Sequence, residues 1–239
     1  MRQVRDENEQ HRRFDAFGVM AAGCDNVGQT DDSRDLYALI DAVAADIQVA
    51  NPPFACRAGC NACCYTPPMV TSLEWQVLHR HLLTLPPQIQ LQIVAHAEAL
   101  RPLAATLKEK RRAVMARTPG QANQASVQCP MLLDGQCSVY KARPLICRGH
   151  GLFVSGLDGQ PKFFGSALAM AHIQETMPRD LVLPLFDPYA QRLGAMHAGQ
   201  GTQAYIPEWL WAHIDNGQLL EQANLNPDFD PPTPQPNPV

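Results

Sequence analysis

The chain has 239 residues, 46% hydrophobic and 18% charged, with a formal net charge of −4. That length gives one domain with tails, or two small domains, and a core that stands without disulfide staples. A pI near 6.0 argues against a nucleic-acid face, which needs a basic stripe. No apolar run reaches the roughly eighteen residues of a membrane span.

In chain order, residues 1–32 begin with the polar stretch Met1-Arg2-Gln3-Val4-Arg5, which has no apolar signal core, so a cytoplasmic address is expected. The whole segment reads as a disordered leader. Asp32 or Ser33 then caps a helix whose Leu36, Leu39, Ile40, Val43 and Ile47 share one stripe. Thr71 and Glu74 form a capping box that opens a helix through Trp75, Val77, Leu78 and Leu82. Pro86-Pro87 ends it, and a third helix starts near Gln88. Pro102 interrupts that helix, because proline lacks an amide donor and clashes with the preceding turn. Helix resumes through Leu103, Leu107 and Val114 to Thr118-Pro119-Gly120. Leu152–Val154 and Lys162–Phe164 suggest one hairpin. Ser166 caps a helix ending at Met177-Pro178, Asp187-Pro188 opens another toward Gly199, and a last helix runs from Glu208 to Ile214. Trp209 and Trp211 are expected to bury. From Asn226 the prolines at 227, 231, 232, 234, 236 and 238 make residues 226–239 a disordered or polyproline-like tail. The body, residues 33–225, is expected to be mainly α: a compact helical domain with a cysteine-rich metal-binding loop region and at most a small hairpin.

The cysteines carry the chemistry. One group is Cys56-x3-Cys60-x2-Cys63-Cys64; the other is Cys129-x7-Cys137-x9-Cys147. Cys24 stands alone. In a reducing compartment such clusters bind metal more often than they form disulfides. Thiolates are soft ligands that select zinc, copper(I) or iron–sulfur clusters. Gly59 allows a positive φ between Cys56 and Cys60. Cys63 and Cys64 diverge as neighbours, so they serve two irons of one cluster, or one ligates while the other packs. The two groups flank the long helical segment. If that segment folds back, one site joins both and metal binding adds folding free energy. Arg143 and Arg148 flank Cys147 and are candidates to offset the negative charge of a bound cluster. Tyr140 is expected to pack on the same turn. His150, three residues past Cys147, is a further candidate ligand. His79 and His81 sit two apart on a helix, face different ways, and make no metal pair.

These motifs, with Cys129-Pro130-x-Leu132, Gly135-x-Cys137-Ser138-x-Tyr140 and Arg143-Pro144-x-x-Cys147-Arg148, resemble the YkgJ-like cysteine-cluster family, described as zinc- or iron-chelating CxxCxxCC proteins. The resemblance covers about residues 50–165 and includes Val70-Thr71-x-x-Glu74. It implies metal binding by the cysteines without a settled reaction. A related domain occurs in flagellin lysine methylases, which keeps an enzymatic reading open.

Three functions compete. The first is an iron–sulfur or iron protein with a redox role and a redox or protein partner. The second is a structural zinc module of four thiolates. The third and weakest is a methyl-transfer or radical enzyme using S-adenosylmethionine; the strand–helix alternation such a barrel needs is missing from the pattern. No Ser/His/Asp set, phosphate loop or carboxylate pair stands out, so no catalytic residue is assigned.

Overall fold

The structure, a computed structural model, describes residues 33–50, 59–116, 127–155, 162–165, 171, 183–196 and 202–230. The leader, Cys24, Cys56, the helix expected after Ser166 (apart from Ala171) and the end of the tail lie outside these residues.

Helix α1 (Ser33–Ala50) buries the expected stripe, with Ile40 fully enclosed. It packs against α5 (Leu145–Gly149) and α6 (Asp187–Met196). Leu152, Phe153 and Phe186 complete this first core, Phe153 meeting Phe186 and Tyr189 edge-on at 6.3 and 5.7 Å. The second core belongs to α2 (Ser72–Leu83), α3 (Pro87–Ala99) and α7 (Ile206–Trp211). Trp75 and Trp209 stack there at 5.5 Å. Both indoles of α7 find acceptors: buried Trp209 Nε1 donates to the Val70 carbonyl at 3.1 Å, and Trp211, expected to bury but only half-buried, donates from Nε1 to that of Ala97 at 2.7 Å.

The prolines act as expected. Pro86 and Pro87 separate α2 from α3, and Pro102 confines the chain to one 3₁₀ turn, Arg101–Leu103, before α4 (Ala104–Met115). The last helix is shifted from expectation: it starts at Ile206 and stops at Trp211, not Ile214. No helix among the described residues is long and apolar enough to cross a membrane.

The mainly α reading holds, but "at most a small hairpin" is too few. Four antiparallel pairs occur among the described residues. The expected hairpin is β4 (Phe153–Ser155) with β5 (Lys162–Phe164). The others are β1 (Met69–Thr71) with β6 (Gln203–Tyr205), β2 (Leu132–Leu133) with β3 (Gln136–Cys137), and β7 (Ile214–Asp215) with β8 (Gln218–Leu219). Strands of two residues carry no alternation to read. Their turns do carry a signal: Asp134-Gly135 and Asn216-Gly217 have φ of 47 and 75°, and 48 and 74°, the left-handed pairs that close two-residue hairpins.

The packed body also passes the expected boundary at 226. Phe229 meets Trp209 edge-on at 4.9 Å, and Asp230 accepts from Arg111 at 3.0 Å. Arg111 also pairs with buried Glu208 at 3.0 Å, its own side chain only 8% exposed.

Two histidines hold this C-terminal segment. His79 Nε2 meets the Leu220 carbonyl at 2.8 Å. Fully buried His213 accepts at Nε2 from Trp75 Nε1 (3.2 Å) and the Asn224 amide (2.9 Å), so its Nδ1–H donates to the Trp209 carbonyl at 2.8 Å. Burial lowers both pKa values, and for His79 the neighbouring His213 lowers it further. The unfolded chain therefore binds protons that the folded one refuses. Stability should fall as pH drops below the ordinary histidine value of about 6.5. Melting temperatures at pH 7.5 and 5.5 check this: the difference should shrink in His213→Gln, and an equal difference would exclude His213 as a source.

Candidate metal centre

The described cysteines of the first group, Cys60, Cys63 and Cys64, lie on and just before one tight turn. Gly59 takes φ 92°, the left-handed conformation expected of it. The chain then winds through a 3₁₀ turn, Ala62–Tyr65, closed by Cys64 N to Asn61 O at 2.9 Å and Thr66 N to Cys63 O at 3.1 Å. Helices α2, α3 and α4 carry the chain away. On its return it is stitched to this same turn: Val127 N donates to Tyr65 O at 2.8 Å and Cys129 N to Cys64 O at 2.6 Å. Asn61 Nδ2 adds a third stitch to Gly135 O at 3.1 Å. Cys137 lies on β3, and Pro144 starts the short α5 that carries Cys147.

The result is convergence. Cys60, Cys63, Cys64, Cys129, Cys137 and Cys147 line a single cavity of about 60 Å³, with Arg143 in its wall. That is space for a few water-sized species, enough for an ion or a compact inorganic group. All six are free thiols.

Burial dominates their electrostatics. It pushes Cys129 up to about 12, raises Cys137, and lifts Cys147 well above the ordinary thiol value. Neighbouring cysteines raise these three further, and Arg143 opposes the rise at Cys137. Cys63 is the exception: a hydrogen bond from Cys64, then one from His150, holds it below the usual range despite burial. Cys64, as the donor, is raised. Cys64, Cys129, Cys137 and Cys147 thus favour the neutral form, and Cys63 favours negative charge.

Surrounding residues fix the frame. Glu74 is buried, and Oε2 closes the capping box on Thr71 N (2.9 Å) and Oγ1 (3.1 Å). Its Oε1 crosses to accept from Leu145 N at 2.9 Å, at the start of the Cys147 helix. The sequence shows the first role; nothing in its spacing shows the second. Arg148 is 4% exposed and lies over the Tyr37 ring at 4.2 Å. It binds Asp41 and the carbonyls of Arg143 (2.8 Å) and Lys141 (2.6 Å). Its charge is thus taken up by a carboxylate, a role that sequence position alone did not separate from that of Arg143. Arg143 stacks on Tyr140 at 3.9 Å. Its Nε–H is buried and finds no acceptor among the described residues.

The donor chemistry fits a soft metal: six thiols about one cavity, and an orphaned cationic donor beside them. Among the described residues, no three His, Cys, Asp or Glu side chains are gathered to hold a metal ion as they stand. The thiols share the pocket without forming a closed ligand shell, so binding requires them to turn inward.

Glu74→Gln should expose the double role. One acceptor oxygen becomes an amide donor and faces the N–H of Thr71 or Leu145, leaving a buried donor unmatched at about 1–3 kcal/mol. Denaturant unfolding of the two proteins measures it. A loss below about 0.5 kcal/mol would show that the Leu145 contact contributes nothing.

Searches among curated proteins and among solved structures gave no match to the chain. Residues 55–155, which span both cysteine groups and the helices between them, match the family model CxxCxxCC, described as a putative zinc- or iron-chelating domain.

Proposed function

We propose that this protein binds a metal through Cys56, Cys60, Cys63, Cys64, Cys129, Cys137 and Cys147, and that the bound group is an iron–sulfur cluster with a redox role. The observation that carries the reading is the shared cavity of six thiols from two distant loops. The description of the matched family agrees in kind. More thiols line the cavity than one tetrahedral ion uses, and the neighbours Cys63 and Cys64 both face it, which suits more than one metal atom. Arg143 offsets part of the added negative charge. A cluster would supply one-electron chemistry; the chain supplies the ligands, excludes water and neutralises charge.

A structural zinc site is the second reading. It is favoured by the backbone stitches Cys129–Cys64 and Val127–Tyr65, which a metal would lock as a clasp. An S-adenosylmethionine barrel gains no support, since the described strands pair antiparallel, two by two.

Purification without oxygen, with analysis of iron, acid-labile sulfide and zinc, tests the choice. A brown protein with iron and sulfide supports the cluster. A colourless protein with stoichiometric zinc replaces it with the module, and absence of both removes the metal reading. Cys60→Ala and Cys137→Ala should lose metal and melt earlier, because ligand loss removes folding free energy. Cys24→Ala should do neither. Equal metal content and melting in all three variants would count against a shared site.

A further inference from the structure

The two arginines beside Cys147 do different work. Arg148 is saturated. All three of its guanidinium nitrogens have partners, in Asp41 and the carbonyls of Arg143 and Lys141. These contacts tie α1 to the chain entering α5, which is an architectural task. Arg143 is not saturated. Its Nη2 reaches Asp41 only at 3.7 Å. Its Cζ lies over the Tyr140 ring, 3.9 Å from the centroid. Its Nε–H is buried without an acceptor among the described residues. This buried, unpaired N–H belongs to a cation in the wall of the thiol cavity. Thiolates are the anions that chamber would gain on loading.

We infer that Arg143 is the positioning residue of the metal centre, donating its Nε–H to the thiolate shell when metal is bound, whereas Arg148 holds the surrounding backbone. The inference rests on the reading of the cysteines as metal ligands. It also accounts for two otherwise separate observations, the stacking on Tyr140 and the orphaned donor. The contact with the ring keeps the guanidinium at the cavity wall before the metal arrives. Outer-shell donors of this kind typically contribute 10–100-fold to metal affinity.

Cobalt(II) serves as the probe, because thiolate-to-cobalt charge transfer reports ligation without settling the native metal. Wild type, Arg143→Met, Arg143→Lys and Arg148→Gln are loaded anaerobically. The charge-transfer band, the affinity by chelator competition, and the melting temperature of the metal-free form are read. Arg143→Met should move the band and weaken cobalt binding by about 10-fold or more, with little change in metal-free melting. Arg143→Lys should recover part of the affinity through charge but leave the band displaced. Arg148→Gln should lower metal-free melting and leave the band in place. An unmoved band and affinity in Arg143→Met overturns the inference. So does an equal shift in Arg148→Gln, or a band fully restored by lysine, which would make charge alone sufficient. A wild type with no thiolate-to-cobalt band, purified without iron or zinc, overturns the metal reading itself, and does so before any variant is compared.

Discussion

One carboxylate sets the geometry of the thiol pocket. Glu74 is a helix cap by its position in α2, and its second oxygen reaches 71 residues along the chain to the first amide of α5. That amide is one of the unsatisfied donors every helix start presents. A five-residue helix has little stability of its own; it is held because a buried acceptor from another helix meets it. Cys147 points into the cavity as a consequence. Burial raises the Glu74 pKa, while the amides it caps and nearby Arg148 work to keep it ionised. The side chain is thus a buried acceptor, held in place by the donors it organises.

The pocket lies at the seam between the two cores. Cys129 belongs to the second core, with Cys64 and Cys137 packed against it, while α5, carrying Cys147, is anchored by Leu145 in the first. A metal at this seam would bind the two cores to each other. The division of labour between the arginines follows from the same layout. A fully buried charge needs a partner. Arg148 has one in Asp41, and Arg143 keeps a donor in reserve where new negative charge would appear.

Much of this was readable in advance, and the reasons are specific. The stripe from Leu36 to Ile47, the Thr71–Glu74 box and the breaks at Pro86-Pro87 and Pro102 are local features, each decided within a few residues, and each stands in the structure. The gathering of the cysteine groups followed from their flanking a segment that had to fold back. What was hidden is what crosses the sequence. The β1–β6 pairing joins residues 69–71 to 203–205 through backbone bonds alone and leaves no compositional mark. Phe229 reads as part of a proline-rich tail until Trp209 supplies a surface for it. The different fates of Arg143 and Arg148 depend on Asp41, about a hundred residues earlier. The Asp134-Gly135 and Asn216-Gly217 hairpins went unread because strands of two residues carry no alternation beside the turn.

The stitch between Cys64 and Cys129 has a consequence for how the chain is made. During synthesis the first three thiols of the pocket leave the ribosome several seconds before Cys129 and Cys147 exist. Through that interval they lack the walls that keep water away and the later loop that encloses them. A metal captured then would be held by an open, partial set and would meet oxidants and competing thiols directly. Helices α2, α3 and α4, emerging next, build the second core and return the chain to Cys64. Elongation therefore sets how long the first group stands without the second. Slowing translation between the two cysteine groups should lengthen the exposure of the first, and supply of the metal matters most in the moments after the second has been released.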